Sequence, residues 1–118
     1  MPFRTVLRNL IDSVDGAMGA MFLDYEGEAV EVVSNGNRHD FKIIGAYQGI
    51  FLYQARKICR DTRQGTPLRF ALQLEEITIL TRTMADGYYL VLVLGRNASE
   101  SQGWHQMNAA HAVLSREI

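Results

Sequence analysis

The side chains able to do chemistry are few, and their spacing does not gather them. The chain has three histidines, His39, His105 and His111. His105 and His111 are neither three nor four residues apart, so they do not share one helix face as a metal-binding pair would. No acidic residue sits beside them in a metal-ligand pattern. His111 falls on the apolar side of a helical segment and reads as a core histidine with a local hydrogen bond; His105 reads as solvent-facing. The single cysteine, Cys59, lies among apolar helical residues with no histidine near it in sequence and no helix N-terminus to lower its pKa. A buried, inert thiol is expected. Glu75 and Glu76 are adjacent. Read as strand residues they point to opposite faces and cannot share a substrate. Asp24 and Glu26 belong to a surface turn. There is no GxxxxGK[ST] loop and no GxGxxG, so nucleotide binding by those routes is not expected. Without an acid–base pair, an activated nucleophile, a metal set or a cofactor motif, the chain reads as non-catalytic.

One charged group stands out. Arg56, Lys57, Arg60 and Arg63 cluster near the end of the long middle helix, where they form a candidate partner-binding patch. Elsewhere charge is balanced: twelve basic and thirteen acidic residues give a formal net charge of −1. That balance argues against a general nucleic-acid binder and against recruitment to an anionic membrane. The longest apolar run, Tyr88 to Leu94, falls far short of the ~20 residues a membrane helix needs. The N-terminus lacks a basic region followed by an apolar run, so no signal peptide is expected. One thiol fits a reducing compartment, and a cytoplasmic location is the expectation.

The elements that would position these residues follow closely on one another. The 118 residues fit a single domain, 1–118. Phe3, Val6, Leu7, Leu10, Ile11 and Val14 recur at helical spacing, with Pro2 suited to the first turn and Gly16 placed to end the helix. Residues 17–23 are apolar on both alternating faces, as in a strand covered on both sides, and small Ala17, Gly19 and Ala20 would let a helix lie close. Asp24-Tyr25-Glu26-Gly27 is a hairpin turn leading to a strand over 28–33 with a drier face at Val30 and Val32. Asp40 can cap a helix running to about Arg60 or Thr62. Three strands follow, 68–74, 77–83 and 88–94, the last two joined through Asp86-Gly87. A final helix starts near Ser99 or Ser101, with Trp104, Met107, His111, Leu114 and Ile118 on one face. The two doubly apolar strands belong side by side in the middle, with 28–33 at one edge and 68–74 at the other. The fold class is therefore α/β (α+β): a profilin-like, three-layer α/β/α domain around a five-stranded antiparallel sheet.

Two features exceed what a monomer needs. In the middle helix Phe41, Ile44, Phe51, Leu52, Ala55, Ile58 and Cys59 form a stripe that would cover the sheet. Ile43 and Ile50 lie outside it, and Tyr47 and Gln54 lie at its border, so the apolar arc is wider than a one-sided helix requires. Gly45 and Gly49 are expected on the opposite flank. The edge strand, Leu68, Arg69, Phe70, Ala71, Leu72, Gln73 and Leu74, is apolar on one side and has no internal proline, with Arg69 a weak guard. A twofold axis that pairs this edge with its own copy would also bring two middle helices together. The expected dimer interface is Ile43, Tyr47, Ile50 and Gln54 on the helix, with residues 68–74 on the strand.

The element order and several stretches resemble the Roadblock / dynein light chain family over nearly the whole chain. The stretches are Val6-Leu7-Arg8-Asn9-Leu10-Ile11, Asp15-Gly16-Ala17-Met18-Gly19-Ala20, Asp24-Tyr25-Glu26-Gly27, and Asp86-Gly87 running on to Leu94. The resemblance implies a homodimer, or a heterodimer with a paralogue, whose sheet is continuous across the twofold. It implies a partner or regulator of Ras-like small GTPases, or a scaffold, nearest the stand-alone bacterial MglB type. It brings no catalytic motif. Acceleration of GTP hydrolysis would then come from repositioning the GTPase's own groups rather than from an arginine inserted by Arg56, Arg60 or Arg63. The competing expectation is a small-molecule-sensing domain of similar antiparallel α/β architecture. That reading needs a pocket with convergent polar groups, and the sequence offers only Gln48 and His111 on apolar faces.

Overall fold

A computed structural model of the chain describes residues 3–118; Pro2, expected in the first helical turn, lies outside them. The elements are α1 (Phe3–Asp12), β1 (Ala17–Leu23), β2 (Ala29–Ser34), α2 (Arg38–Thr62), β3 (Arg69–Gln73), β4 (Ile77–Thr83), β5 (Tyr89–Gly95) and α3 (Glu100–Ser115), with a 3₁₀ turn at Ala85–Gly87 before β5. All strand pairings are antiparallel, in the order β2-β1-β5-β4-β3. The doubly apolar β1 and β5 sit at the centre, and β3 and β2 are the edges.

Two cores flank the sheet. On one side α1 and α3 pack Val6, Leu7, Leu10, Met107 and Leu114 against Phe22, Leu80, Leu90, Leu92 and Leu94. On the other, α2 brings Phe41 and Leu52 onto Met21, Leu23, Val32, Tyr89, Val91 and Val93. Alternation along β5 explains the division: Leu90, Leu92 and Leu94 face one layer, and Tyr89, Val91 and Val93 face the other. The layering is α1 with α3, the sheet, then α2. Gly19 makes close approach possible, because a Cβ there would lie 2.7 Å from the Phe41 ring.

Local chemistry departs from expectation in four places. Asn37, not Asp40, caps α2: its side chain accepts from the backbone N–H groups of His39 and Asp40. Asp40 lies in the first turn, where its charge still favours the helix dipole. In β2, Val32 and Val33 are both buried, on opposite faces, whereas Val30 is exposed. Glu75 and Glu76 lie in the turn between β3 and β4 rather than in a strand, and both face solvent. The largest departure concerns α2. Gly45 and Gly49 point at the sheet, where a Cβ would meet Met21 and Leu23, or the Tyr89 hydroxyl. Phe51 and Ile58, expected over the sheet, are exposed. The buried line is Phe41, Gly45, Gln48 and Leu52. It contains a glycine and a glutamine, so a hydrophobic tally alone tilts the inferred stripe toward Phe51 and Ile58.

Candidate interaction surface

Rotating the stripe leaves α2 with two separate faces. The face away from the sheet carries Ile43, Tyr47, Ile50, Phe51 and Ile58, all exposed, together with Gln54. At about 100° per residue these share one side of the helix. Tyr47, Ile50 and Ile58 are each more than half exposed, at 55%, 54% and 63%. A run of this length is an exposed apolar patch of the kind that marks contact with another macromolecule.

Edge strand β3 turns one face to the same side of the sheet as α2. Phe70 and Leu72 turn toward the α2 layer and are half-buried against its core. Leu68 and Leu74 at the strand ends are exposed, and so are Arg69, Ala71 and Gln73. One side of β3 pairs with β4; its other side is free among the described residues. The residues singled out on α2 and β3 thus form two open apolar tracts.

The basic residues are placed differently. Arg56, Lys57 and Arg60 are exposed on a flank of α2 turned away from Phe51 and Ile58. Lys57 Nζ lies 5.7 Å from the centre of the Tyr53 ring, and Arg60 pairs loosely with Asp61 at 3.7 Å. Arg63 closes the helix in a left-handed conformation, φ 58°, its N–H donating to the Cys59 carbonyl. Cys59 is half-buried rather than enclosed.

The remaining polar groups serve the fold. Asp24 Oδ1 accepts from the N–H groups of Glu26 and Glu28, at 2.9 and 3.1 Å, so this carboxylate holds the hairpin turn. Gln48, 1% exposed, donates to the Ile44 carbonyl at 3.3 Å and accepts from Thr81 Oγ1 at 3.4 Å. Tyr89 donates to the Gly45 carbonyl at 2.9 Å, and burial, with the Asp24 charge, pushes its pKa up to about 12. His111 Nε2 donates to the Thr83 carbonyl at 3.2 Å. Burial and the nearby Arg82 hold its pKa below the ordinary value. Gln48 lies on the α2 side of the sheet and His111 on the α3 side, so the two polar groups that a ligand pocket would need do not converge.

Surface grooves among the described residues include two beside the helices. The larger, about 410 Å³, runs between α1 and α3 past Val6, Leu10, Ala110 and Val113. The smaller, about 230 Å³, lies between the Tyr25–Gly27 turn and α2 at Gly49, Ile50 and Tyr53. Among the described residues no three His, Cys, Asp or Glu side chains come together as metal ligands, and no helix is long and apolar enough to cross a membrane.

No family model and no curated protein matches the sequence. Solved structures do match. A Roadblock/LC7 domain from Streptomyces avermitilis superposes with TM-score 0.87 at 16% identity, covering 96% of this chain and 94% of that one. MglC from Myxococcus xanthus gives 0.74 at 20% identity, with 100% of both chains covered. An MglB with a tetrameric arrangement gives 0.87 at 14% identity, over 97% of this chain and 85% of that one. The chain has the Roadblock/LC7 fold, as the resemblance implied.

Proposed function

We propose that the chain is a non-catalytic, cytoplasmic interaction module that dimerises and, as a dimer, binds and regulates a Ras-like small GTPase. The observation that carries this reading is the double tract of unpartnered apolar surface, on α2 and on the free edge of β3. Ile43, Tyr47 and Ile50 do nothing for a monomer's core, and an open strand edge is a liability unless something covers it. One twofold operator covers both tracts. The fold is in keeping with the reading, since Roadblock/LC7 domains and MglB and MglC share it, one of them in a tetrameric arrangement.

The regulatory half of the proposal rests on the fold and on the absence of an acid–base or nucleophile constellation among the described residues. A chain without catalytic groups acts on a GTPase by fixing the conformation of the GTPase's own groups. Arg56, Lys57, Arg60 and Arg63 supply the proposed electrostatic contact. The test is co-purification and single-turnover GTP hydrolysis with purified Ras-like GTPases. Binding with a changed hydrolysis rate is expected, weakened by Arg56→Glu with Arg60→Glu. Neither binding nor a rate change would sink the GTPase assignment and leave the dimer to be judged separately.

A further inference from the structure

The β2 edge of the sheet is closed by side chains, and the closure centres on Val32. The Asn35 N–H donates to the Met18 carbonyl at 2.9 Å, and the β1–β2 register sets Val33 opposite Ala20 and Val32 opposite Met21. By the alternation of an antiparallel ladder, Glu31 and Val33 turn their peptide groups inward to β1, and Val32 and Ser34 turn theirs outward. Ahead of Val32 the regular ladder ends, because the register shifts between Phe22 and Leu23 and a bulge of this kind disrupts pairing. Val32 and Ser34 are therefore the regularly spaced positions at which an added strand could take hold.

Both outward groups of Val32 are taken. Its N–H donates to Glu31 Oε1 at 3.0 Å. Its carbonyl accepts from Arg38 Nη1 at 2.7 Å and from Arg4 Nη1 at 3.4 Å. The same Glu31 oxygen lies 3.4 Å from Arg4 Nη1 and 3.8 Å from Arg38 Nη2, so the three side chains hold one another as well as the backbone. Arg4 comes from α1 and Arg38 from the start of α2, helices on opposite faces of the sheet, and the two guanidiniums meet over the edge. The Arg4 and Arg38 side chains are 57% and 52% exposed, and ion pairs that open to water add little to stability. What they occupy matters more. A charge-assisted bond of this length is strong, and an incoming strand would have to break it to form its own ladder bond at Val32. The β3 edge is arranged the other way. Leu68 and Leu74 bond inward to Thr83 and Ile77 of β4, so the same alternation turns the peptide groups of Arg69, Ala71 and Gln73 outward. The side-chain bonds nearest to them, from Thr83 Oγ1, go to the Pro67 and Leu68 carbonyls instead.

We infer that Arg4, Glu31 and Arg38 form a lock that bars strand addition at β2 and leaves β3 as the open edge. An unguarded edge strand is a template for pairing with any extended chain. With both edges open, β2 of one copy could take β3 of the next, a contact that does not close on itself and builds a filament. The lock removes that route. It fills the middle of the edge, the bulge spoils one side of it, and Ser34 is left alone on the other, too short a run to seat a strand. The device costs the fold little, because its groups stand at the surface and the buried faces of β2 are untouched. It does not depend on the dimer proposed above: it decides where the sheet can grow, whatever β3 meets.

Sedimentation of the full chain over a concentration series tests the lock. The wild type should reach a plateau mass that further concentration does not raise. The triple variant Arg4→Ala, Glu31→Ala, Arg38→Ala opens the edge, and its mass should climb to about twofold the wild-type plateau or beyond, with unchanged far-UV circular dichroism. Arg38→Ala alone frees the Val32 carbonyl of its shortest bond with the least change to the fold, and should show the same rise at higher concentration. Ser34→Pro added to the triple variant removes an outward N–H at a place where an edge strand accepts proline. It should return the mass to the wild-type plateau. A wild-type mass that climbs without limit overturns the lock. So do folded variants that stay on the wild-type plateau, and growth that survives Ser34→Pro. A wild-type plateau at one chain mass overturns the dimer instead, and the variants still decide the lock.

Discussion

Tyr89 shows how one side chain on the sheet constrains the helix packed directly against it. Its hydroxyl satisfies the Gly45 carbonyl and stands 2.7 Å from where a Gly49 Cβ would be. An alanine in a helix is ordinarily favoured over glycine by about 1 kcal/mol, but here it would strike a hydroxyl pinned by its own hydrogen bond. Overpacking of this kind costs about 1–3 kcal/mol, so Gly49→Ala should lower stability on balance. Removing the hydroxyl takes away the closest atom and leaves the ring carbon at 3.4 Å, an ordinary contact. Tyr89→Phe alone should cost about 0.5–1.5 kcal/mol. Gly49→Ala should become neutral or stabilising in that background, a non-additivity that urea unfolding of the four proteins would measure. Equal effects of Gly49→Ala in both backgrounds would rule this contact out as the cause. His111 makes a second prediction. Burial, then the Arg82 charge, depresses its folded pKa below the ordinary 6.5. The unfolded chain therefore binds the proton more readily, and stability present above pH 6.5 is lost as pH falls toward the folded pKa. His111→Gln should flatten unfolding free energy against pH in that window; an unchanged slope would assign it to other groups.

At the scale of elements, α2 decides what could be read in advance. Its extent was legible, because polar punctuation at 34–40 and 61–67 bounds a long apolar-periodic stretch. The strands were legible for the same reason, and the doubly apolar runs at 17–23 and 88–94 marked the central pair. The orientation of α2 was not. Its buried line runs through Gly45 and Gln48, with half-buried Gly49 beside them, and their value lies in small size or in a hydrogen bond to Thr81, neither of which hydrophobicity registers. The cap at Asn37 was hidden similarly, because Asn37 and Asp40 are both competent caps and only geometry chooses between them. The residues named for the helix seam survive the rotation, because Ile43 and Ile50 lie outside the sheet-covering stripe under either assignment and Tyr47, at its border in the sequence, is exposed. Ile50 is 54% exposed, so Ile50→Asp should leave the folded monomer nearly undisturbed. In a dimer it would bury an unpaired carboxylate. Light scattering should fall from twice the 13.3 kDa chain mass to one chain mass, with unchanged far-UV circular dichroism. A variant that stays dimeric would remove Ile50 from the seam.

At the scale of the whole molecule, the architecture separates what folds the chain from what it presents. The two cores are complete within one copy: Leu7, Phe22, Leu90, Leu92, Met107 and Leu114 on one side, and Met21, Leu52, Val91 and Val93 on the other, are all essentially sealed from solvent. A single copy thus encloses both cores, and α2 and β3 carry apolar surface outside them. Association through that exposed flank of α2 and that strand edge would add stability by mass action without being required for the fold. The thermal midpoint should therefore rise with protein concentration across the dissociation range and level off once the dimer is saturated. In Ile50→Asp it should be independent of concentration and match the dilute wild-type limit. A flat wild-type midpoint, with scattering at one chain mass throughout, would mean that the exposed flank meets a different protein. A Ras-like GTPase would then be the first partner to try against Ile43, Tyr47 and Ile50, because the same patch would need covering from a single copy.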